Sequence, residues 1–262
     1  MALDVTPGLD AIEAETTALL AGQHGDLNEQ QQEDVGCIQT SAAELRQKIQ
    51  PLHKDQFDSS HLAVMSRRLR TSGNVIVGFS RALQKGISGA VSTAQMDALQ
   101  IIYEQGRNLI TLANDSIDYA HLQNKSLGLK PETLNLTDMI ERAVQAYDTG
   151  QPLFSIKQRG ADNLQVDCDL YRTWQILHNM LRMVVQANTT REITLTIDSA
   201  ETHATIDIET QIPHAEAVAL LEPDDKLTLP VVAGLAAAQG GALRIDSGEA
   251  GAVFHVSFPI TP

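Results

Sequence analysis

The stretch His61-Leu62-Ala63-Val64-Met65-Ser66-Arg67-Arg68-Leu69-Arg70-Thr71-Ser72-Gly73-Asn74, followed by Val77-Gly78-Phe79-Ser80, decides the reading of this chain. Its apolar residues recur at three- and four-residue spacings, the period of an amphipathic helix. It is also the one basic stretch of an acidic protein. Residues 61–86 carry five basic side chains and no acidic one, residues 1–60 carry three and eleven, and the remainder carries eleven and twenty-two. Arg67, Arg68 and Arg70, three arginines within four residues, span more than one helix face.

The helical texture extends from residue 11 to about residue 122, with turn signals only near residues 22–25, Pro51, Gly73 and residues 86–89. A register shift of 64 residues lays Leu19-Leu20-Ala21-Gly22-Gln23-His24-Gly25-Asp26-Leu27 over Leu83-Gln84-Lys85-Gly86-Ile87-Ser88-Gly89-Ala90-Val91. Both glycines coincide, and Gln31, Ile38 and Leu45 fall on Gln95, Ile102 and Leu109. Helix, glycine turn and helix therefore occur twice, either as a duplicated unit whose apolar faces pack together or as two hairpins that converge on one pattern. After Pro131 the texture changes. Helices are expected over about 137–147, 169–186 and 229–239, and strands over 153–157, 164–166, 192–197, 204–208, 242–246 and 253–258, with a polar lid-like stretch before the last helix.

At 262 residues and 43% hydrophobic content, the chain has room for two modest domains, each with its own core. No apolar run approaches the roughly 20 residues of a membrane span, and residues 1–8 lack the pattern of a secretion signal, so a cytoplasmic location is expected. The net charge of −14 argues against nucleic acid or anionic lipid as a general partner. Cys37 and Cys168 stand in no metal-ligand spacing, so two reduced, semi-buried thiols and no metal are expected.

Residues 61–122 resemble the dimerisation and phosphoacceptor hairpin of sensor histidine kinases. The opening stretch is similar to the family's F-L-A-N-M-S-H-E-L-R-T-P-L-N and I-G-F-S, and Gly106-Arg107-Asn108-Leu109-Ile110 with Asn114-Asp115-Ser116-Ile117-Asp118 match its second helix. Leu129-Lys130-Pro131-Glu132 and Leu136-Thr137-Asp138-Met139-Ile140 look like the entry to the family's ATP-binding domain. Asp169-Leu170-Tyr171-Arg172-Thr173-Trp174-Gln175-Ile176-Leu177-His178-Asn179-Met180-Leu181 resembles its D-x-x-R-x-x-Q-I-L-x-N-L helix, and Gln239-Gly240-Gly241, Gly251-Ala252-Val253-Phe254 and Phe258-Pro259 fit its end. The resemblance implies an α+β chain: a helical hairpin or four-helix-bundle domain, then an α/β sandwich like the kinase ATP-binding domain. Its divisions would be residues 1–60, a first hairpin and repeat of the next, 61–125, the phosphoacceptor-like hairpin, and 132–262, the ATP-binding-like domain.

Where the family carries its phosphoacceptor histidine and the adjacent acid, this chain has Arg67 and Arg68. A guanidinium stays protonated and has no lone pair with which to attack. His61 lies six residues upstream, about 240° around the helix, and does not stand in for the missing histidine. The resemblance places a nucleotide near Asn179, Met183, Lys226 and Thr228, yet Met183 takes the place of the metal-binding asparagine and Lys226-Leu227-Thr228-Leu229 that of a glycine-rich segment. No glycine occurs between Gly160 and Gly234, so the glycine turn expected near residues 208–214 is missing. On this reading no cofactor and no catalytic residue are expected, and the chain is a pseudokinase, not an enzyme.

For Arg67, Arg68 and Arg70 three readings stand: a solvated face, a surface for an acidic partner such as a response regulator receiver domain, or internal pairing with the acidic first hairpin. Thr71 occupies the place where the family positions water for removing a phosphoryl group, or is kept for packing. His178 reads as a ligand-binding or a structural histidine, and Lys226 as a closure of the pocket or an exposed lysine. The function expected is a signalling adaptor that binds a receiver domain or a kinase. The alternative is a phosphotransfer or phosphatase component acting on a phosphorylated receiver without ATP. By resemblance the chain is a homodimer; the repeat allows instead a monomer with an intrachain four-helix bundle.

Overall fold

Buried side chains at alternating four- and three-residue intervals set the four helices that come first: α1 (Thr6–Leu20), α2 (Glu29–Ile49), α3 (Ser59–Gln84) and α4 (Thr93–Gln123). They belong to a computed structural model that describes residues 5–49, 59–147, 154–159, 163–187, 193–210, 227–248 and 251–260. The chain divides into two compact units, Met1–Ala120 and His121–Pro262. In α2 the interval runs through Gln31, Val35, Ile38, Ala42 and Leu45, and in α4 through Gln95, Leu99, Ile102, Gly106 and Leu109. This is the heptad interval of supercoiled helices, and all four contribute to a single hydrophobic cluster that includes Leu9, Ile12, Ile38, Leu69, Ile76 and Ile102.

The repeat is visible atom by atom at the turns. Gly22 and Gly86 adopt φ of 72° and 69°, and Gly25 and Gly89 adopt 100° and 113°, left-handed conformations that cost a side chain with a Cβ. Each following helix is capped reciprocally. Gln31 N donates to Asn28 Oδ1 at 2.9 Å while Asn28 N donates to Gln31 Oε1 at 3.0 Å; Gln95 N donates to Ser92 Oγ at 3.1 Å while Ser92 N donates to Gln95 Oε1 at 2.8 Å. The same two glutamines then join the hairpins. Gln31 Nε2 donates to Gly89 O and Ala90 O at 3.3 and 3.0 Å, and Gln95 Nε2 donates to Gly25 O and Asp26 O at 3.2 and 3.1 Å. Every one of these partners maps onto its counterpart by the 64-residue shift. The hairpins thus face each other about an approximate two-fold axis within one chain, and α1 and α2 cover the apolar faces of α3 and α4, the intrachain bundle that the repeat allowed in place of the homodimer implied by resemblance.

Gly73 is not a turn, as its residue type suggested, but lies mid-helix in α3. A Cβ there would stand 2.7 Å from Ile110 Cγ1 and 3.1 Å from Gly106 O, and one at Gly106 would stand 2.8 Å from Ile76 Cγ2. The two glycines let α3 and α4 approach closely.

In the second unit β1 (Pro131–Asn135) pairs antiparallel with β3 (Gln165–Asp169). A five-stranded sheet has the order β2-β4-β5-β7-β6, built from β2 (Phe154–Gln158), β4 (Ile193–Ser199), β5 (His203–Thr210), β7 (Gly251–Pro259) and β6 (Ala242–Gly248). Only β2 and β4 run parallel. The helices are α5 (Leu136–Gln145), α6 (Leu170–Ala187) and α7 (Thr228–Ala238). Alternate residues of β5 and β7, including Ile206, Ile208, Phe254 and Phe258, are fully buried, as are Ile176 and Met180 of α6 and Leu235 of α7. Strand β1 forms where the sequence showed only the entry to this unit and no strand, and most of the lid-like stretch, residues 211–226, lies outside the described residues. The cysteines are not alike. Cys37 is exposed, whereas Cys168 is buried and its thiol is pushed up to about 11 by burial. No helix among the described residues is long and apolar enough to cross a membrane.

Two outcomes follow. Gln31→Ala and Gln95→Ala should each strip two turn carbonyls of their donor and cost similar amounts, about 1–3 kcal/mol, in urea unfolding; markedly unequal costs would break the equivalence of the turns. A thiol-specific disulfide reagent at about pH 8 should titrate one group per folded chain, Cys37, and a second only after unfolding.

Candidate functional site

The exposed part of the basic stretch is a helix face built on a pinned scaffold. Val64, Arg67, Arg68 and Thr71 fall at i, i+3, i+4 and i+7 of α3, with Arg70 on the adjacent stripe. Beneath them Ser66 Oγ, fully buried, donates to Ala113 O of α4 at 2.6 Å, and Leu62, Met65 and Leu69 enter the bundle core. The three arginines are not equivalent. Arg68 is half-buried and donates to the Lys48 carbonyl in the last turn of α2, where unpaired helix carbonyls favour a cation. Arg70 Nη2 donates to Asn114 Oδ1 of α4 at 2.7 Å and stays exposed. Arg67 is exposed, and no hydrogen bond or ion pair joins its guanidinium to another described residue. Thr71 is exposed and its hydroxyl donates to Arg67 O at 2.8 Å.

Internal pairing with the first hairpin therefore accounts for Arg68, through a carbonyl rather than a carboxylate. Arg67, Arg70 and Thr71 remain on the surface. Down the same helix pair lies a cluster that residue type alone did not reveal: Arg81 and Arg107 stand 5.2 and 6.0 Å from the ring centroid of Tyr103. Its only trace in the sequence is the four-residue spacing of Tyr103 and Arg107 on α4.

The second set of residues belongs to the α6–α7 region. Asp169 caps α6: Oδ1 accepts from Arg172 N at 3.0 Å, Oδ2 accepts from Lys130 N at 2.7 Å, and its own N–H donates to Gln239 Oε1 at 2.7 Å. About two and a half and three and a half turns into α6, Asn179 and Met183 are both buried, at 4% and 6% exposure. Thr228 opens α7 and accepts from Arg182 Nη2 at 3.4 Å, between buried Leu227 and Leu229. Lys226 lies outside the described residues, as do residues 211–214 of the expected glycine turn. His178 is half-buried against Tyr147, whose hydroxyl donates to His178 O at 3.1 Å and lies 3.1 Å from its Nδ1, with ring centroids 5.5 Å apart. That contact favours the structural reading of His178. Among the described residues no group of three histidine, cysteine or acidic side chains could hold a metal ion.

Comparison with known proteins gives this geometry its context. The chain is 27% identical over 123 residues to the histidine protein kinase DivJ of Caulobacter vibrioides, which spans 46% of this chain and 21% of that protein. The relatives of this chain are histidine kinases. Sensor protein GacS of Pseudomonas syringae pv. syringae is 29% identical over 184 residues, covering 66% of this chain and 20% of that protein. The chain thus spans about a fifth of the length of these relatives. Among solved structures, the Acinetobacter baumannii histidine kinase AdeS matches 71% of this chain and 95% of its own with a TM-score of 0.54 at 17% identity. That likeness supports the fold, a helical bundle followed by a histidine-kinase-like ATP-binding α/β unit. No protein-family model matches the chain.

These names correct the expectation that the chain is not an enzyme. DivJ is named as a kinase, and although the match is distant and partial, nothing in it shows that catalysis is lost. Arg67, Arg68 and Met183 stand as departures from the family pattern and no more than that.

Met183 provides a direct test of how α6 meets its surroundings. Met183→Asn sets an amide where the thioether is now buried and should cost about 1–3 kcal/mol in urea unfolding. An unchanged midpoint would mean that polar partners or water already surround this position.

Proposed function

We propose that this histidine-kinase-like chain works in two-component signalling by docking the receiver domain of a response regulator on the exposed Arg67–Arg70–Thr71 face of α3. The observation that carries the reading is the exposed Arg67 guanidinium, which no described residue pairs, beside Arg70 on a surface whose helix is fixed from below by Ser66 and Gly73. Receiver domains present a cluster of carboxylates, and arginine forks match carboxylate geometry. The local excess of five basic side chains over residues 61–86, in a chain of net charge −14, sets this face apart electrostatically. Such a patch raises the rate of encounter with an acidic partner and selects against basic ones.

A second reading rests on Thr71. Its hydroxyl lies on the same face, one turn from Arg67, where a phosphoryl group on a docked receiver would be within reach of a positioned water. On this reading a water held by Thr71 attacks the phosphorus of the receiver's acyl phosphate, releasing inorganic phosphate and leaving the receiver's carboxylate, and Thr71→Ala abolishes that effect while binding persists.

The test uses a panel of receiver domains, unmodified and phosphorylated, with surface plasmon resonance for docking and loss of receiver phosphate for turnover. Arg67→Glu with Arg70→Glu should slow association about tenfold or more at low salt and flatten its salt dependence, with circular dichroism unchanged. Arg68→Glu should instead lower stability, because Arg68 is tied to the end of α2. Wild-type association by the Arg67→Glu, Arg70→Glu variant would remove this face from the account.

A further inference from the structure

The 64-residue shift that relates the hairpins gives the basic face of α3 a counterpart on the first hairpin. In place of Arg67, Arg70 and Thr71 stand Leu3, Thr6 and Pro7. Helix α1 begins at Thr6, the counterpart of Arg70, and Pro7 lies in its first turn, where a residue without an N–H fits. Two guanidiniums and a hydroxyl are thus exchanged for an aliphatic chain, a hydroxyl and a ring that donates nothing. Farther down, Thr17, Gln39 and Ala43 stand where Arg81, Tyr103 and Arg107 bring two guanidiniums to one ring. Gln39 Nε2 donates to Thr17 Oγ1 at 3.2 Å, a neutral contact between the two helices.

The cations of the first hairpin are already satisfied within it. Arg46, the counterpart of Ile110, donates through Nε to Glu13 Oε1 at 2.8 Å and through Nη2 to Asp10 Oδ1 at 2.6 Å. Lys48 pairs with Glu44 at 2.7 Å. These are the only two basic side chains of residues 6–49, which carry eight acidic ones, whereas the equivalent residues 70–113 carry four basic and two acidic.

We infer that the four-helix unit is one-sided and docks one receiver domain per chain, on α3 alone. The inference rests on receiver docking as proposed above. A bundle whose two hairpins both carried the face, as in the homodimer implied by resemblance, would offer two sites related by its two-fold axis. Here the axis persists in the turns, but the counterpart face lacks free guanidiniums to meet receiver carboxylates, and its acidic excess repels a second acidic partner. The chain is therefore monovalent: it does not bring two receivers together, and its binding gains nothing from a second site.

Sedimentation velocity on the full chain, with a receiver domain that docks in the panel above, reads the composition of the complex at saturation. At low salt and rising receiver excess, one chain should take one receiver. Asn74→Glu, exposed one turn below Arg70, should slow association about tenfold, whereas Ala14→Glu, exposed on α1, should leave rate and stoichiometry unchanged; circular dichroism verifies that both variants are folded. One chain with two receivers, two chains with two receivers, or equal sensitivity to Asn74→Glu and Ala14→Glu would each overturn the inference while leaving receiver docking itself in place. No complex of the unmodified chain with any receiver of the panel would instead overturn the docking reading, and the inference would fall with it.

Discussion

Two buried glutamines, Gln31 and Gln95, hold the helical unit in register, each capping its own helix and donating to two carbonyls of the opposite turn. A turn carbonyl buried without a donor is costly, so the pair fixes which turn faces which and how far the helices slide. From that end the heptad seams run the length of the bundle, and within the second hairpin Gly73 and Gly106 let α3 and α4 approach closely. The same register brings the last turn of α2 to Arg68. The first hairpin therefore covers the apolar side of the second and helps to set the orientation of its basic face.

Much of this was legible in the sequence because it depends on local rules. The paired glycines are required by left-handed turn conformations, and they coincide under the shift together with the capping glutamines. The strands of the sheet were legible where alternate residues are buried, as in β5 and β7. Strand β1 was not, since only Leu134 of its five residues is buried and its partner β3 lies some thirty residues away. Gly73 was misread because a glycine needed for close helix approach has the same sequence appearance as one needed for a turn. The candidate site was half legible. Residue type and spacing singled out Arg67, Arg68, Arg70 and Thr71, but which arginine turns inward depends on Lys48 and Asn114, contacts that no local pattern specifies.

The equivalence of the two hairpins also changes what the fold can do. A bundle made of two identical hairpins presents the same surface twice, whereas here the exposed faces differ while the turns and core positions match. One outer face carries two arginines against Tyr103, and on the other Arg46 is paired with Asp10 and Glu13 and Lys48 with Glu44. The core tolerates little change, because packing and turn hydrogen bonds fix it; the exposed faces carry no such constraint and are free to differ.

The central claim is that the two hairpins pair within one chain, and a distance between equivalent exposed positions tests it most directly. Cys37 on α2 and Ile101 on α4 are related by the 64-residue shift and both are exposed, while buried Cys168 resists labelling. Spin labels on Cys37 and on an Ile101→Cys variant, measured by pulsed dipolar spectroscopy in excess unlabelled chain, should give one well-defined distance of about 20–30 Å, two to three helix diameters. That distance should be unchanged by the dilution. A distance that disappears as unlabelled chain is added would mean that the hairpins pair between chains, and the intrachain bundle would be wrong.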